Sequence, residues 1–227
     1  MLTVHFGPIS RIVLDRPQRA NAYTGAMLDQ LGDAVARLAG AARVVIVEAT
    51  GAGAFCAGAD LDELRGALPE DAIDLKVQRV FTALARAPFV SIAAVHGAAV
   101  GGGFELALAC DLRVVGPSAT FWLPEPTRGL LPAGGGTTRL ARLVGPSRAK
   151  AVILGGQRID ASMSVDWGLA AAVEPDARAA ALTWAEDIVT RDPVALRIAK
   201  TILDADESAS SLALERLGEA VLYARRT

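Results

Sequence analysis

The chain is organised around the stretch GAAVGGGFELALACD, residues 97–111. It follows FVSIAAV (89–95), an apolar run of strand length that Pro88 introduces. The stretch itself predicts a loop that passes into a helix. This helix is apolar nearly all round, so we expect it to be buried. Three successive glycines, 101–103, separate loop and helix, and such a run is useful where the backbone must approach another group closely.

One carboxylate, Glu105, lies in the first turn of this helix. The N-terminus of a helix presents unpaired N–H groups, and its dipole favours negative charge. Backbone donors beside a buried acid therefore suggest an oxyanion site. The alternative is structural: the glycines allow tight packing, and Glu105 complements the helix dipole. Taken alone, the stretch favours the structural alternative.

The composition of the 227 residues is that of a globular protein. Hydrophobic residues make up 52% of the chain and charged residues 21%, which suits one main domain with a sizeable core. The net charge is -2, with no block of like charge and only three lysines, so neither nucleic acid nor a membrane is an expected partner. Cys56 and Cys110 suggest no disulfide framework, and the first residues show no signal-peptide pattern. We therefore expect a cytoplasmic location.

Strand-like and helix-like segments alternate along the chain, which predicts the α/β class. Strands are expected at 2–6, 9–14, 43–48, 89–95, 112–115 and 119–123, with a short apolar segment at 169–173. Helices are expected from Thr24 to Gly40, at 70–87, 104–110, 137–143, 147–154 and 162–167, and in the tail from Asp192 onwards. On the last helix Leu214, Leu217 and Val221 form an apolar stripe that we expect to face another subunit.

A second Gly-rich stretch, TGAGAFCAGAD (50–60), follows the strand at 43–48. It is not a dinucleotide-binding fingerprint, because Cys56 stands where the last glycine is needed, and the chain contains no P-loop. The two histidines, His5 and His96, support no hydrolase triad, and we interpret His96 as structural. No cluster of His, Cys, Asp and Glu has metal-ligand spacing, so we predict no metal site.

Two glutamates remain as candidates for chemistry. Glu105 lies in the apolar helix, and Glu125 is held between the two prolines of PEP (124–126) on a stiff loop. A carboxyl group in a dry environment gains proton affinity towards neutrality, as acid–base catalysis requires. With two Gly-rich loops able to offer N–H donors, the pair predicts acyl chemistry.

Several motifs, taken in order, resemble the crotonase (enoyl-CoA hydratase/isomerase) superfamily. They are LDRP (14–17) with NA (21–22), AFCAGADL (54–61), HGAAVGGGFEL (96–106), PE (124–125), Gly129 with PAGGGT (132–137), RAK (148–150) and DWGL (166–169). The resemblance covers about residues 12–173, and the order and gaps of the motifs make it specific. It implies a crotonase-type spiral of ββα units, which we place at 1–190. The C-terminal helical segment, 191–227, would serve oligomerisation in a homotrimer or in a homohexamer formed as a dimer of trimers.

The resemblance also implies roles for individual residues. The backbone N–H groups of Ala59 and Gly102 match the oxyanion hole for a thioester carbonyl. Glu105 and Glu125 match the two acids of true hydratases, the first activating water for C3 and the second exchanging a proton at C2. The family's cradle for CoA matches Arg19, Ala20, Ala22, Ala57, Asp60 and Leu61. No prosthetic group is expected, since coenzyme A enters as part of the acyl-CoA substrate.

The resemblance predicts reversible syn hydration of a trans-2-enoyl-CoA. Two alternatives stay open: a double-bond isomerase, lyase or hydratase for an aromatic or branched acyl group, and a non-catalytic binding protein of the same fold. Trp122 stands where a glycine is common and is expected to reshape the acyl pocket, and Ala133 replaces a frequent glycine. The family's usual final helix extends beyond the position of Thr227, so we expect CoA affinity and subunit packing to be affected.

Overall fold

The computed structural model describes residues 1–65 and 75–205, together with Leu217, Glu219 and Val221. In chain order its strands are β1 (Leu2–His5), β2 (Ile9–Leu14), β3 (Val44–Ala49), β4 (Ala54–Cys56), β5 (Val90–Val95), β6 (Ala98–Val100), β7 (Leu112–Val115), β8 (Thr120–Trp122), β9 (Ile159–Asp160) and β10 (Ala172–Val173). Its helices are α1 (Gly25–Leu38), α2 (Leu61–Leu64), α3 (Lys76–Ala85), α4 (Gly102–Leu108), α5 (Gly136–Val144), α6 (Pro146–Ile153), α7 (Ala161–Asp166), α8 (Ala177–Ile188) and α9 (Pro193–Leu203). Short 3-10 turns lie at Pro17–Arg19 and Glu125–Arg128.

The larger sheet has the strand order β1-β2-β3-β5-β7-β10, and only the β1–β2 pair is antiparallel. Its central strands are buried on both faces, as expected for parallel strands. On β3, Val44 and Ile46 pack towards the alanine-rich face of α8. Val45 and Val47 point the other way, into the main core with α1 and α4. The continuous apolar run in the sequence is explained by this two-sided burial.

The smaller sheet has the strand order β4-β6-β8-β9. Two of its strands lie in the Gly-rich stretches that the sequence analysis expected to be loops. Residues 98–100 form strand β6, which lies between β4 and β8 in parallel register. Within the second Gly-rich stretch, 54–56 forms β4. Three-residue strands carry too little periodicity to be recognised in the sequence. Gly97 allows the two strands to come close, because a Cβ there would lie 2.6 Å from the carbonyl oxygen of Gly53.

Helix α4 is fully buried, as the sequence predicted. Its C-terminal carbonyl groups are held by Arg113 of β7, a buried arginine. The Arg113 guanidinium donates to the carbonyl oxygens of Ala107, Cys110, Asp111 and Leu169. A cation at the C-terminal end of a helix also complements its dipole. Arg113 thereby fixes the position of the helix whose other end carries the three glycines.

Two C-terminal helices are fastened to the sheet by long cationic side chains. From α8, Arg178 donates to the carbonyl oxygens of Ala49 (2.5 Å) and Gly51 (2.7 Å), and it lies against the ring of His96. From α9, Lys200 donates to the Asp111 carboxylate at 2.8 Å. His96 is accordingly a packing residue beside Arg178, and burial lowers the pKa of its imidazole.

Most predicted elements agree with the structure to within two or three residues. The helix expected at 70–87 begins at Lys76 in the described residues, and the rest of it lies outside them. Of the stripe on the last helix, Leu214 lies outside the described residues, whereas Leu217 and Val221 are exposed. Within the described ranges, no helix is long and apolar enough to cross a membrane.

Candidate active site

The first two Gly-rich stretches meet at Gly58 and Gly102, which brings the backbone amides of Ala59 and Gly102 into one region. A Cβ on Gly58 would lie only 3.2 Å from the Gly102 nitrogen, so the two chain segments are in close contact. Ala59 forms a parallel β-bridge with Tyr23. In this bridge the N–H of Tyr23 donates to the carbonyl oxygen of Gly58, and the N–H of Asp60 donates to the carbonyl oxygen of Tyr23. The N–H of Ala59 therefore points away from Tyr23. Gly102 begins α4, where the N–H groups have no partner within the helix.

Neither amide donates a hydrogen bond to any residue that the structure describes. Unpaired backbone N–H groups are rare in a protein interior. Ala59 is partly buried and Gly102 is buried, so the two donors are largely shielded from water. Such a pair is suited to donating two hydrogen bonds to an oxygen atom of a bound molecule.

Glu105 lies one helical turn after Gly102 and is only 3% exposed. Its Oε1 atom accepts a hydrogen bond of 2.7 Å from the N–H of Gly136, the first residue of α5. Burial raises the pKa of this carboxyl group to about 7, and the negative charge of Glu125 adds to the rise. The hydrogen bond from Gly136 acts in the opposite direction and stabilises the ionised form. Near neutral pH both the protonated and the ionised form of this group are therefore populated.

Glu125 begins the 3-10 turn after Pro124 and lies against the glycine loop. A Cβ on Gly101 would lie 2.7 Å from Oε1 of Glu125. Its Oε2 atom is buried and has no hydrogen-bond partner among the described residues. Burial raises the pKa of this carboxyl group as well. The structure thus brings both glutamates and both amides to one place.

The third Gly-rich loop, 132–136, has a position that the sequence did not predict. It supplies the N–H of Gly136 to Glu105, and a Cβ on Gly134 would lie 2.8 Å from Oε2 of Glu105. Arg139 of α5 holds the loop by donating to the carbonyl oxygen of Gly134 at 2.7 Å. Ala133 is accommodated beside this contact and leaves it intact.

Tyr23 is a site residue that the sequence analysis missed. Its ring lies edge-on to Phe81, with 5.9 Å between the centroids, and its hydroxyl group lies against Gly102. Burial, together with the charges of Cys56, Glu105 and Glu125, raises the pKa of Tyr23 well above its usual value. Its only signal in the sequence was its place directly after Asn21-Ala22, within the resemblance.

The residues proposed to hold CoA lie on two segments that touch. The N–H of Ala57 donates to the carbonyl oxygen of Ala20 at 3.0 Å. Ala20 and Asn21 have φ of 49° and 55°, a left-handed conformation that non-glycine residues adopt rarely. The Asn21 amide holds it by donating to the carbonyl oxygens of Thr50 and Ala54.

The six candidates differ in accessibility. Arg19, Ala20, Ala57 and Leu61 are exposed. Asp60 and Ala22 are buried and bound by Arg16, which pairs with the Asp60 carboxylate at 2.5 Å and donates to the carbonyl oxygen of Ala22. The hydrogen bond from Arg16 lowers the pKa of Asp60, which also caps α2. The side chain of Asp60 therefore positions the loop, and its backbone N–H and carbonyl groups are hydrogen-bonded to Tyr23 and Leu64.

Trp122 lies on β8 next to the glycine loop, and its carbonyl oxygen accepts from the N–H of Gly101 at 2.8 Å. The guanidinium of Arg158 stacks on the indole, 4.4 Å from the ring centroid. The indole Nε1 is buried and has no partner among the described residues. Among the residues that the structure describes, no three His, Cys, Asp or Glu side chains are grouped to hold a metal ion.

Comparison with known proteins identifies the family. The profile of the enoyl-CoA hydratase/isomerase family matches residues 7–225, almost the whole chain. The chain belongs to this family. In Bos taurus, the mitochondrial enoyl-CoA hydratase domain-containing protein 2 is 41% identical over 91% of this chain and 74% of its own.

Solved structures of the family share the fold. The enoyl-CoA hydratase of Bacillus anthracis superimposes with a TM-score of 0.92 and 34% identity, over 96% of this chain and 89% of its own. A Thermobifida fusca protein solved in complex with CoA gives a TM-score of 0.88 and 34% identity, over 99% of this chain and 93% of its own. The predicted crotonase-type α/β fold is confirmed. Enzymes of this superfamily act on CoA thioesters.

Proposed function

We propose that this member of the enoyl-CoA hydratase/isomerase family is an enoyl-CoA hydratase, which adds water reversibly to a trans-2-enoyl-CoA to give a 3-hydroxyacyl-CoA. The observation that supports this most is the buried carboxyl group of Glu105 and the partly buried one of Glu125, beside amides of Ala59 and Gly102 that are unpaired among the described residues. Hydration needs a base for water, an acid for carbon and a site for developing negative charge. These four groups supply all three.

The proton content of the pair fits this reaction. Burial, with the negative charge of Glu125, raises the pKa of Glu105 to about 7, so this carboxyl group can take up or release a proton near neutral pH. The N–H of Gly136 stabilises the anion on Glu105. Oε2 of Glu125 has no donor, which suits a protonated carboxyl group. We assign Glu105 as the base and Glu125 as the acid in the hydration direction.

In the proposed mechanism the thioester oxygen accepts hydrogen bonds from the N–H groups of Ala59 and Gly102. Glu105 removes a proton from water as the water oxygen bonds to C3. The electrons of the C2–C3 double bond then move to form an enolate, whose oxygen the two amides and the dipole of α4 stabilise. Glu125 gives its proton to C2 on the same face, which completes syn addition.

The CoA moiety is proposed to lie over the exposed residues Arg19, Ala20, Ala57 and Leu61, with the backbone near Ala22 and Asp60 at its edge. Since the T. fusca relative was solved with CoA, a CoA thioester is the substrate class to test first. No prosthetic group enters the mechanism.

The test is the loss of the conjugated enoyl-thioester absorbance when the protein is mixed with crotonyl-CoA. We expect Glu125→Gln to lower turnover by a factor of about 100 or more, because the acid is lost while the shape is kept. Glu186→Gln, on the exposed face of α8, is the matched control and should retain wild-type turnover. Equal turnover in the wild type and Glu125→Gln would reject the mechanism.

A second candidate is an isomerase, lyase or hydratase for an aromatic or branched acyl group. Trp122 favours it, because a large side chain with an unpaired Nε1 lies next to the glycine loop. Product analysis with straight, branched and aromatic enoyl-CoA substrates discriminates the two reactions. Binding of every acyl-CoA without turnover would instead indicate a non-catalytic protein.

The proposal also includes a homotrimer or homohexamer, whose mass sedimentation would give as three or six times 23.5 kDa. Nucleic acid and membrane are not among the proposed partners. The cytoplasmic location stays a prediction, which fractionation of cells that produce the protein would test. The core at 1–190 and the oligomerisation segment at 191–227 likewise stay a proposed division.

A further inference from the structure

The hydroxyl group of Tyr23 lies at the N-terminal end of α4, beside the amide of Gly102. A Cβ built on Gly102 would lie 2.0 Å from the Tyr23 oxygen. A Cβ lies about 2.5 Å from its own backbone nitrogen, so the hydroxyl oxygen is within about 4.5 Å of the Gly102 nitrogen. Because each hydrogen bond spans about 2.7–3.0 Å, two donors at that separation can reach one acceptor oxygen.

No described residue forms a hydrogen bond with this hydroxyl group, although Tyr23 is only 8% exposed; its oxygen is not among the fully enclosed unpaired polar atoms of the described residues, so it stays open to a bound molecule. Buried tyrosine hydroxyl groups ordinarily find a partner. The backbone of Tyr23 is fixed by its bridge to Ala59, and its ring is fixed against Phe81. The side chain is therefore held in place while its hydroxyl oxygen has no partner among the described residues.

From this geometry we infer that Tyr23 is a further catalytic residue, whose hydroxyl group donates a hydrogen bond to the same thioester oxygen as Ala59 and Gly102. This inference rests on the proposed function, since it assumes a thioester carbonyl at these two amides. Burial raises the pKa of the Tyr23 phenol well above its usual value, and the nearby Cys56, Glu105 and Glu125 add to the rise, so the phenol stays protonated near neutral pH. The phenol transfers no proton; it stabilises the enolate oxygen and leaves proton transfer to the two glutamates.

The test replaces only the hydroxyl group, with Tyr23→Phe. Butyryl-CoA labelled with ¹³C at the carbonyl is the probe, because it lacks a double bond and cannot be hydrated. Infrared difference spectra report the carbonyl stretch of the bound thioester, which falls in frequency as hydrogen bonds strengthen. We expect the stretch in Tyr23→Phe to move back towards the value for free butyryl-CoA, and kcat for crotonyl-CoA to fall by about 10- to 100-fold.

The fold of the variant is checked by thermal unfolding. Since the hydroxyl group forms no hydrogen bond with the described residues, the Tm of Tyr23→Phe should equal or exceed that of the wild type. Thr183→Val removes a hydroxyl group from the exposed face of α8 and is the matched control, which should change neither the carbonyl stretch nor kcat.

The outcomes separate this inference from the proposed function. The wild-type protein could lower the carbonyl stretch of bound butyryl-CoA, and Tyr23→Phe could reverse that shift, while the wild type fails to hydrate crotonyl-CoA. This result would support the role of Tyr23 and reject the hydratase. An identical stretch in the wild type and Tyr23→Phe would overturn the role of Tyr23, even if kcat fell, because the hydroxyl group would then act on another atom. If butyryl-CoA does not bind even at high concentration, both the role of Tyr23 and the proposed function are overturned.

Discussion

Burial and hydrogen bonding shift the pKa of the Glu105 carboxyl group in opposite directions. Its pKa is raised from 4.5 to about 7, which means that the folded protein binds a proton more tightly than the unfolded chain. A raised pKa of this kind stabilises the fold below about pH 4.5. That stability is lost as the pH rises through about 7. The chemistry that the site can perform is thus linked to a loss of stability in the range where it operates.

Glu105→Gln should therefore gain stability over the wild type as the pH rises, because glutamine is neutral at every pH. From pH 4 to pH 8.5 the difference in unfolding free energy should change by about 3 kcal/mol at most in favour of the variant. Urea unfolding of both proteins at the two pH values measures it. A difference that is the same at both values would contradict the raised pKa.

Position 102 has no room for a side chain, because Tyr23 lies directly against Gly102. A Cβ there would lie 2.0 Å from the hydroxyl oxygen and 2.7 Å from the Cζ atom of Tyr23. Gly102→Ala should therefore displace either the ring or the start of α4, and we expect a loss of kcat/KM of about 100-fold or more. Gly40→Ala, where nothing lies within 4 Å of the added Cβ, is the matched control and should keep wild-type kcat/KM. Similar values for both variants would contradict this account.

At the level of elements, α4 is the part on which the site depends. Its N-terminal residue supplies one amide, its first turn carries Glu105, and its C-terminal carbonyl groups are bound by Arg113. A seven-residue helix has little stability of its own, so its position is set by the groups around it. The buried arginine is one of these groups, and it also connects the helix to β7.

Arg113→Met should lower the free energy of unfolding by about 2–4 kcal/mol, because carbonyl oxygens at the end of α4 lose their donor in a buried place. Turnover should fall with it, since α4 carries Glu105. Arg191→Met removes only an exposed pair with Asp187 and should change stability by about 0.5 kcal/mol or less. Urea unfolding and crotonyl-CoA turnover of both variants measure these effects. Equal stability losses would show that Arg113 does not hold the helix.

At the level of the whole molecule, the C-terminal helices close one face of the larger sheet. Helix α8 covers it with alanine side chains, and α9 is attached through Lys200 to Asp111 and to the carbonyl oxygen of Phe89. Lys200 and Asp111 are both largely buried, so their charges interact more strongly than those of a surface pair. This pair crosses the boundary that we propose between core and C-terminal segment.

Lys200→Met should therefore loosen α9 while leaving the site intact. We expect a loss of about 1–3 kcal/mol in unfolding free energy and faster hydrogen exchange confined to α9. Asp111→Asn in the same background should add little further loss, because the charge pair is already broken. Lys150→Met, at an exposed position of α6, is the control. Unchanged exchange in α9 would show that its attachment does not depend on the pair.

Local patterns along the chain predict the class of fold and most of its elements. The apolar run at 89–95 and the spacing of Leu28, Leu31, Val35 and Leu38 reflect burial on one or two faces of a regular element, and such patterns are local in the chain. The buried α4 and the α/β class followed from them. The identity of the family followed from motifs whose order and spacing are also properties of the sequence.

The contacts between groups in the site depend on how the whole chain folds. Strands β4 and β6 are too short for their periodicity to be recognised, and they exist because they pair with neighbours. The contact of Tyr23 with Gly102 and the hydrogen bond from Gly136 to Glu105 join residues that are far apart in the chain. Local propensity carries no information about such contacts, because sheet register and helix packing set them. The two glutamates were therefore predicted from the sequence, whereas the groups that surround them follow from the packing of the folded chain.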